Sequence, residues 1–149
     1  MDLTALGRTI VDNALYLVLG TADAEGRPWA APVYFAHDDY RDFIWVSKPG
    51  ARHSRNIEVR PEISIVVFDS SVPIGTGRGA VYMPATAAQV PEAGRAEALA
   101  TFSRRSLEHG GREFTAADVL EPARLRLYKA TVAEQFVLDE ADERVPLEL

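Results

Sequence analysis

The 149-residue sequence predicts a mainly β, α+β domain in which about six strands form a closed or partly closed antiparallel barrel with short flanking helices. Apolar runs of strand length, rich in residues that suit a pleated surface, recur along the chain. Short turns join several of them, which indicates hairpins and argues against a parallel, doubly wound sheet. The length is typical of one domain, here residues 1–149.

The N-terminal part is predicted to be a helix followed by a hairpin. Apolar residues at helical spacing indicate an amphipathic helix over residues 2–14. The run at 16–22 is a strand, and the alternating run at 27–37 is a second strand that pairs with it. Gly26 supplies the positive φ that the turn between them needs.

Two prolines make the second strand unusual. Pro28 and Pro32 cannot donate to a ladder, so a strand that holds Pro32 is an edge strand, contains a bulge or faces a ligand. A plain edge strand is the simplest of these interpretations.

Residues 47–69 hold the most informative pattern. A third strand, residues 43–46, ends at Ser47, and Pro49-Gly50 breaks the strand pattern. Arg52 and His53 then open a short helix that must stop near Pro61, ahead of a fourth strand at 63–68.

A strand end followed by a helix start with cations is a natural anion pocket. Free N–H groups and the peptide dipoles make a helix N-terminus attractive to phosphate. Ser47 supplies a hydroxyl, Arg52 a bidentate guanidinium and His53 a ring N–H. The alternative is an arginine-rich helix face in water.

A glycine-rich stretch at 75–79, within a loop over residues 70–80, resembles a phosphate cradle. It lacks the lysine and the spacing of a P-loop, and no strand–helix unit surrounds it. We therefore interpret it as a flexible loop.

The C-terminal half is predicted to contain two strands and a longer helix. A strand at 81–90 precedes a helix at 91–109, which Gly110-Gly111 ends. Residues 115–118 form a capping box for one more helical turn. The last long strand, 124–139, changes parity midway and so requires a bulge, and 145–147 is a possible final edge.

Composition excludes several classes of function. A net charge of −6 argues against a nucleic-acid surface. The chain has no cysteine, which excludes disulfides and thiolate metal sites, and its three scattered histidines lack a metal-ligand spacing. No apolar run reaches membrane-span length and no leader opens the chain, so we expect a cytoplasmic protein without membrane or nucleic-acid partners.

Five segments together resemble the FMN-binding split-barrel family related to pyridoxamine 5′-phosphate oxidase. They follow one another in the family's order and cover most of the chain, and R-H-S-R-N between two strands is the most specific piece. The segments are G-R-P-W-A-A-P-V-Y-F, F-I-W-V-S-K-P-G-A-R-H-S-R-N-I, R-P-E-I-S-I-V-V-F-D, G-R-G-A-V-Y-M-P-A-T-A-A-Q-V and R-L-Y-K-A-T-V.

The resemblance implies a cofactor pocket at matching positions. Ser47, Arg52 and His53 would hold the FMN phosphate, although the oxidases carry lysine where this chain has His53. The flavin and its ribityl chain would lie along the second strand and against the end of the third. Ala80 stands near a glutamine position of the oxidases, so that polar contact is lost. The matching strand residues are Ala31, Pro32, Val33 and Val46.

The resemblance also implies a homodimer with its cofactor sites at the interface, and an oxidoreductase acting on a small molecule. Ala36 replaces a basic residue of the oxidases, and their C-terminal arginine and histidine pattern is missing from residues 134–149. No residue stands out as catalytic. The expected function is therefore an FMN-dependent oxidoreductase of unknown substrate, and deazaflavin is an alternative cofactor. There are two other hypotheses. One is a split barrel that binds a flavin, a deazaflavin or haem without turnover, and the other is a cofactor-free barrel.

Overall fold

A computed structural model describes residues 1–74 and 79–149 of the chain. The predicted glycine loop at 75–79 lies outside the described residues except for Gly79. The helices are α1 (Leu3–Asn13), α2 (Arg52–Val59) and α3 (Glu92–Glu108), with a 3₁₀ turn at Ala116–Asp118. The strands are β1 (Tyr16–Ala22), β2 (Pro28–Tyr34), β3 (Ala36–Asp38), β4 (Asp42–Ser47), β5 (Glu62–Phe68), β6 (Ala80–Gln89), β7 (Arg126–Val132), β8 (Gln135–Leu138) and β9 (Arg144–Leu147).

The strands form one curled antiparallel sheet, which confirms the predicted split-barrel class. The order along the sheet is β2-β1-β5-β6-β7-β4-β3, with β8 paired to β6 and β9 paired to β8. The barrel interior is filled by buried apolar side chains, and a second apolar cluster lies beneath α3. The interior includes Leu17, Leu19, Phe43, Trp45 and Ile65, and the cluster under α3 includes Ile44, Leu99, Phe102 and Leu127.

The described sheet has nine strands because two of the predicted long strands are divided and the possible final edge at 145–147 is present as β9. Phe35 separates β2 from β3, and residues 133–134 separate β7 from β8. The second division falls where the parity change predicted a bulge. Pro84 of β6 lies opposite it, accepts the N–H of Ala133 at 2.9 Å and has no N–H of its own. The ladder along β6 therefore passes from β7 to β8 at this point.

β2 forms one end of the sheet, and its two prolines face outward. Phe35 donates its N–H to the carbonyl of Leu15 at 3.3 Å, and the register then puts the odd-numbered residues of β2 in hydrogen-bonded pairs with β1. Pro28 and Pro32 occupy the alternate positions, so their missing N–H groups cost no bond in the ladder. The edge-strand interpretation of Pro32 is confirmed.

β4 has a second free edge at its C-terminal end. Val132 donates its N–H to Arg41, so residues 43, 45 and 47 are in hydrogen-bonded pairs with β7. The backbone N–H and C=O groups of Val46 point away from β7, towards the side of β4 on which β3 pairs. The pairing of β3 with β4 ends at Ile44, before it reaches Val46. β2 and β4 approach within 8 Å, Cα to Cα. The free edge of β2 and the free end of β4 border an opening in the barrel wall, which we call the split.

Candidate functional site

Helix α2 is placed at this split by the turn that precedes it. The N–H of Ala51 donates to the carbonyl of Lys48 at 3.1 Å, which turns the chain away from β4. The helix ends with an Arg60 N–H bond to Asn56 at 2.8 Å, just before Pro61. Ile57 anchors α2 in the barrel core. The first turn of α2 consequently lies beside the end of β4.

His53 connects this first turn to β4. Its Nε2 lies 2.9 Å from Ser47 Oγ, within hydrogen-bonding distance. Ser47 is 8% exposed and His53 is partly buried. Burial lowers the pKa of His53 below its usual 6.5, because a charged imidazole loses hydration there. In the cofactor-free protein the ring is therefore mainly neutral at pH 7.

Arg52 faces the opposite side, towards β2. Its Cζ atom lies 4.4 Å from the centroid of the Trp29 ring, a cation–π geometry. One helical turn later, Asn56 Nδ2 donates to Thr21 Oγ1 at 3.0 Å, and Thr21 Oγ1 donates to the Trp29 carbonyl at 3.2 Å. The start of α2 thus contacts β4 through His53 and β2 through Arg52.

The start of α2 retains capacity to bind an anion. Its N-cap, Ala51, has no side-chain group that could accept from the first N–H groups, and the structure shows no side-chain cap bond. The exposed guanidinium of Arg52 and the Ser47–His53 pair lie around the same turn. These donors, added to the helix dipole, suit a phosphate dianion. Ser47 and His53 are in direct contact, and Arg52 lies beside His53 in the first turn of α2 with its side chain on Trp29 of β2.

The remaining predicted residues have more varied positions. Ala31 and Val33 are buried and lie in hydrogen-bonded pairs with β1, so their side chains and backbone groups face away from the split. Pro32 has an exposed ring, and its carbonyl points outward along the free edge. Val46 directs its backbone to the split. Ala80 is buried at the far end of β6 from α2, opposite Phe68, and is not brought to the phosphate donors.

Sequence reasoning missed the Trp29 contact and the role of Asn56. Trp29 has the parity of the core-facing residues of β2 but is 41% exposed, which is unusual for a tryptophan on a core face. The signal for Asn56 is its spacing: it lies four residues after Arg52, on the same helix face. Neither signal identifies the partner strand.

Tyr34, His37 and Tyr82, whose side chains could by their chemistry exchange a proton with a substrate, each contact another side chain of the chain. Tyr34 Oη lies 3.0 Å from His109 Nδ1, and His37 Nε2 lies 2.9 Å from Asp12 Oδ1. Tyr82 has the guanidinium of Arg144 over its ring at 5.3 Å. Residues 1–74 and 79–149 contain no group of three or more His, Cys, Asp or Glu side chains that could hold a metal ion. None of the helices described is both long and apolar enough to span a bilayer.

Comparison with known proteins identifies related sequences. A family model described as pyridoxamine 5′-phosphate oxidase matches residues 3–136. A pyridoxine/pyridoxamine 5′-phosphate oxidase of Aeromonas hydrophila is 34% identical over 50 residues, which is 34% of this chain and 24% of that protein. The heme oxygenase HutZ of Vibrio cholerae is 40% identical over 53 residues, 36% of this chain and 30% of that protein.

Several solved structures share the fold. A heme binding protein from Mycobacterium smegmatis superimposes with a TM-score of 0.77 at 18% identity, over 99% of this chain and 58% of that one. HutZ, described as a heme storage protein of Vibrio cholerae, gives 0.72 at 22% identity, over 92% and 95% of the two chains. An F420 reductase gives 0.62 at 17% identity, over 87% and 94%. At these identities the likeness concerns the fold alone.

Proposed function

We propose that this chain, which belongs to the pyridoxamine 5′-phosphate oxidase family, binds FMN at the split of the barrel and acts as a flavin-dependent oxidoreductase on a small molecule. The observation that supports the proposal is that the start of α2 has no side-chain cap and carries both the Ser47–His53 pair and the exposed Arg52. An anion site at the start of α2 suits the phosphate of a cofactor. The adjoining split, which free strand edges border, suits a planar ring system.

The protein's residues would bind and orient the cofactor. Arg52 would donate to the phosphate through two parallel N–H bonds, and Ser47, His53 and the first N–H groups of α2 would complete the shell. The outward backbone groups of β2 and of Val46 border the split where the ring system would lie. Bound flavin would supply hydride or electron transfer, while the protein sets its orientation.

An exposed apolar face on the outer side of the sheet supports a homodimer. Tyr16 is 59% and Phe68 is 50% exposed, and with Val18 and Pro32 they line a surface cavity of about 650 Å³. Monomers rarely leave such a face in water. We propose that a second copy covers it, with an interface of ~2,000 Å² or more, which places Pro32 and the adjoining split at the interface.

Sedimentation tests the dimer. Phe68→Asp should shift the native dimer to monomer at micromolar concentration, because a carboxylate would be buried without a partner. Leu107→Asp is the matched control, since Leu107 is 55% exposed on α3. A native chain that sediments as a monomer would contradict the proposal.

Titration of FMN and riboflavin tests the phosphate site. Arg52→Ala should weaken FMN binding by roughly 2–5 kcal/mol, about 30-fold to several thousand-fold, because part of the phosphate charge loses its partner. Riboflavin has no phosphate and should bind the variant nearly as well as the native protein. Arg55→Ala removes an exposed arginine from the same helix and should leave both affinities unchanged.

The comparison between ligands separates a lost contact from a damaged fold. A destabilised variant would lose FMN and riboflavin together. If Arg52→Ala weakens the two equally, or weakens neither, the phosphate assignment is wrong.

A second candidate is a split barrel that binds deazaflavin or haem without turnover. Ala36, which replaces a basic residue of the oxidases, is 1% exposed beneath α3, so β3 offers no cation to an anionic substrate at that position. Proteins described as haem-binding share the fold. The absorption spectrum of the purified protein separates flavin from haem. Reduction by a nicotinamide donor, followed by turnover with an acceptor, separates an enzyme from a binding protein.

A further inference from the structure

The contact between Arg52 and Trp29 extends the proposed phosphate site to a residue outside its donor set. We propose that Trp29 is a positioning residue: its indole face holds the Arg52 guanidinium beside the start of α2, ready for a phosphoryl group. This inference rests on the proposed function. It concerns the orientation of Arg52 before the cofactor arrives.

Stacking on an indole is compatible with phosphate binding. A guanidinium that lies flat on an aromatic ring uses its face, and the N–H groups in its plane stay available for hydrogen bonds. The 4.4 Å separation between Arg52 Cζ and the ring centroid of Trp29 is within the range of cation–π contacts. A long exposed side chain otherwise loses rotamer freedom on binding, and the indole reduces that loss in advance.

The indole is a platform whose position relative to α2 is set by other bonds. Thr21 and Trp29 are opposite one another in the β1–β2 ladder, and Asn56 binds the Thr21 hydroxyl. Asn56 and Arg52 are one turn apart on α2. Two contacts a turn apart therefore fix the helix against the hairpin, and removing the indole should leave the Asn56 contact in place.

Two other roles for Trp29 make different predictions. If the indole touched the flavin ring, its loss would weaken FMN and riboflavin alike, with or without Arg52. If it served only to pack the end of β2, its loss would lower stability and affect both ligands equally. If Trp29 positions Arg52, loss of the indole weakens the binding of FMN but not of riboflavin, and it does so only while Arg52 is present.

The experiment is a double-mutant cycle with two ligands. Trp29→Leu should weaken FMN about 3- to 30-fold and leave riboflavin within about twofold. Trp29→Phe keeps an aromatic face and should bind FMN within about threefold of the native protein. Trp29→Leu added to Arg52→Ala should weaken FMN no further than Arg52→Ala alone.

A measurement on the cofactor-free protein provides a second readout. Trp45 is fully buried, so a neutral quencher such as acrylamide reaches mainly the 41% exposed Trp29. Arg52→Ala should raise the quenching constant, because the guanidinium no longer covers the ring, whereas Arg55→Ala should not.

The inference is overturned if Trp29→Leu weakens both ligands equally, if it leaves FMN unchanged, or if its effect persists in the Arg52→Ala background. These failures differ from failure of the proposed function. In that case Arg52→Ala itself would not distinguish FMN from riboflavin.

Discussion

Two histidines of this chain each have Nε2 at 2.9 Å from a side-chain oxygen, but the structure shows different numbers of further contacts for the two rings. His37 has Nε2 2.9 Å from Asp12 Oδ1, Nδ1 accepting the Tyr40 N–H at 3.2 Å, and its ring stacked on Tyr40 at 4.3 Å. His53 also has Nε2 2.9 Å from an oxygen, that of Ser47. Within residues 1–74 and 79–149 this is the hydrogen bond that the structure shows for the His53 ring.

This difference distinguishes the cluster of His37, Asp12, Tyr40 and Gln135, called the His37 cluster, from the proposed phosphate site at His53. Around His37 the chain satisfies its own polar groups: Tyr40 Oη donates to Asp12 Oδ2 at 2.7 Å, and Gln135 Nε2 donates to the Tyr40 carbonyl at 2.6 Å. Around His53 the helix start lacks a side-chain cap and Arg52 is exposed. Donors without partners mark a place that can accept a ligand, whereas satisfied donors stabilise the fold.

Among the tests of this comparison between the two histidines, the largest effect is expected for the contacts around His37. Asp12→Ala removes the acceptor of both His37 and Tyr40, so we expect the free energy of unfolding to fall by about 1–3 kcal/mol. FMN affinity should stay native, because the cluster contributes nothing to the phosphate site. Denaturant unfolding and FMN titration measure the two quantities. Loss of FMN affinity in a folded Asp12→Ala variant would contradict the division between cluster and site.

The next effect is the pH dependence that His53 gives the phosphate site. Burial lowers the His53 pKa in the cofactor-free protein, and a bound phosphate favours the protonated ring. FMN binding should therefore take up a proton and tighten as the pH falls from about 8 to about 6.5. Riboflavin binding should not change over this range.

His53→Lys provides the control for this pH dependence. A lysine stays charged across the same range, so the ratio of FMN to riboflavin affinity should become flat. A flat ratio in the native protein would show that His53 gains no proton when FMN binds, which would contradict this prediction.

The same shift in pKa affects stability with a defined sign. A histidine whose pKa is lower in the folded state than its usual 6.5 favours the folded state above that value. This contribution is lost as the pH falls through the lowered pKa. His53→Gln should remove that part of the pH dependence of unfolding, which thermal unfolding between about pH 5 and pH 8 would measure. An unchanged pH profile in the variant would contradict the assignment.

The smallest effect is expected for Ser47→Ala. Loss of one hydroxyl contact to phosphate should weaken FMN by about 0.5–1.5 kcal/mol, with riboflavin unchanged. Isothermal titration of both ligands measures it. An effect as large as that of Arg52→Ala would mean that Ser47 organises the site and does more than donate one bond.

Local sequence patterns determined much of the fold. Residues Tyr16–Ala22 form the predicted strand, residues 92–108 of the predicted helix 91–109 form α3, and the capping box of Thr115 and Asp118 is present. Such patterns depend on neighbours within a few positions. The points at which a long strand divides were harder to predict. No residue near Phe35 marks the end of β2, because the division lies where pairing with β1 ends and pairing with β4 begins.

Short-range signals are enough to place Ser47, Arg52 and His53 at a strand end and a helix start, since Pro49-Gly50 and Pro61 bound that helix locally. Which groups face the split depends on how distant segments pack together. Trp29 lies 23 positions before Arg52, and their contact exists because the hairpin carries the indole beneath α2. Which backbone groups are free depends on the ladder register. Register follows from burial of one face along whole strands, a property of the assembled sheet that no short segment contains.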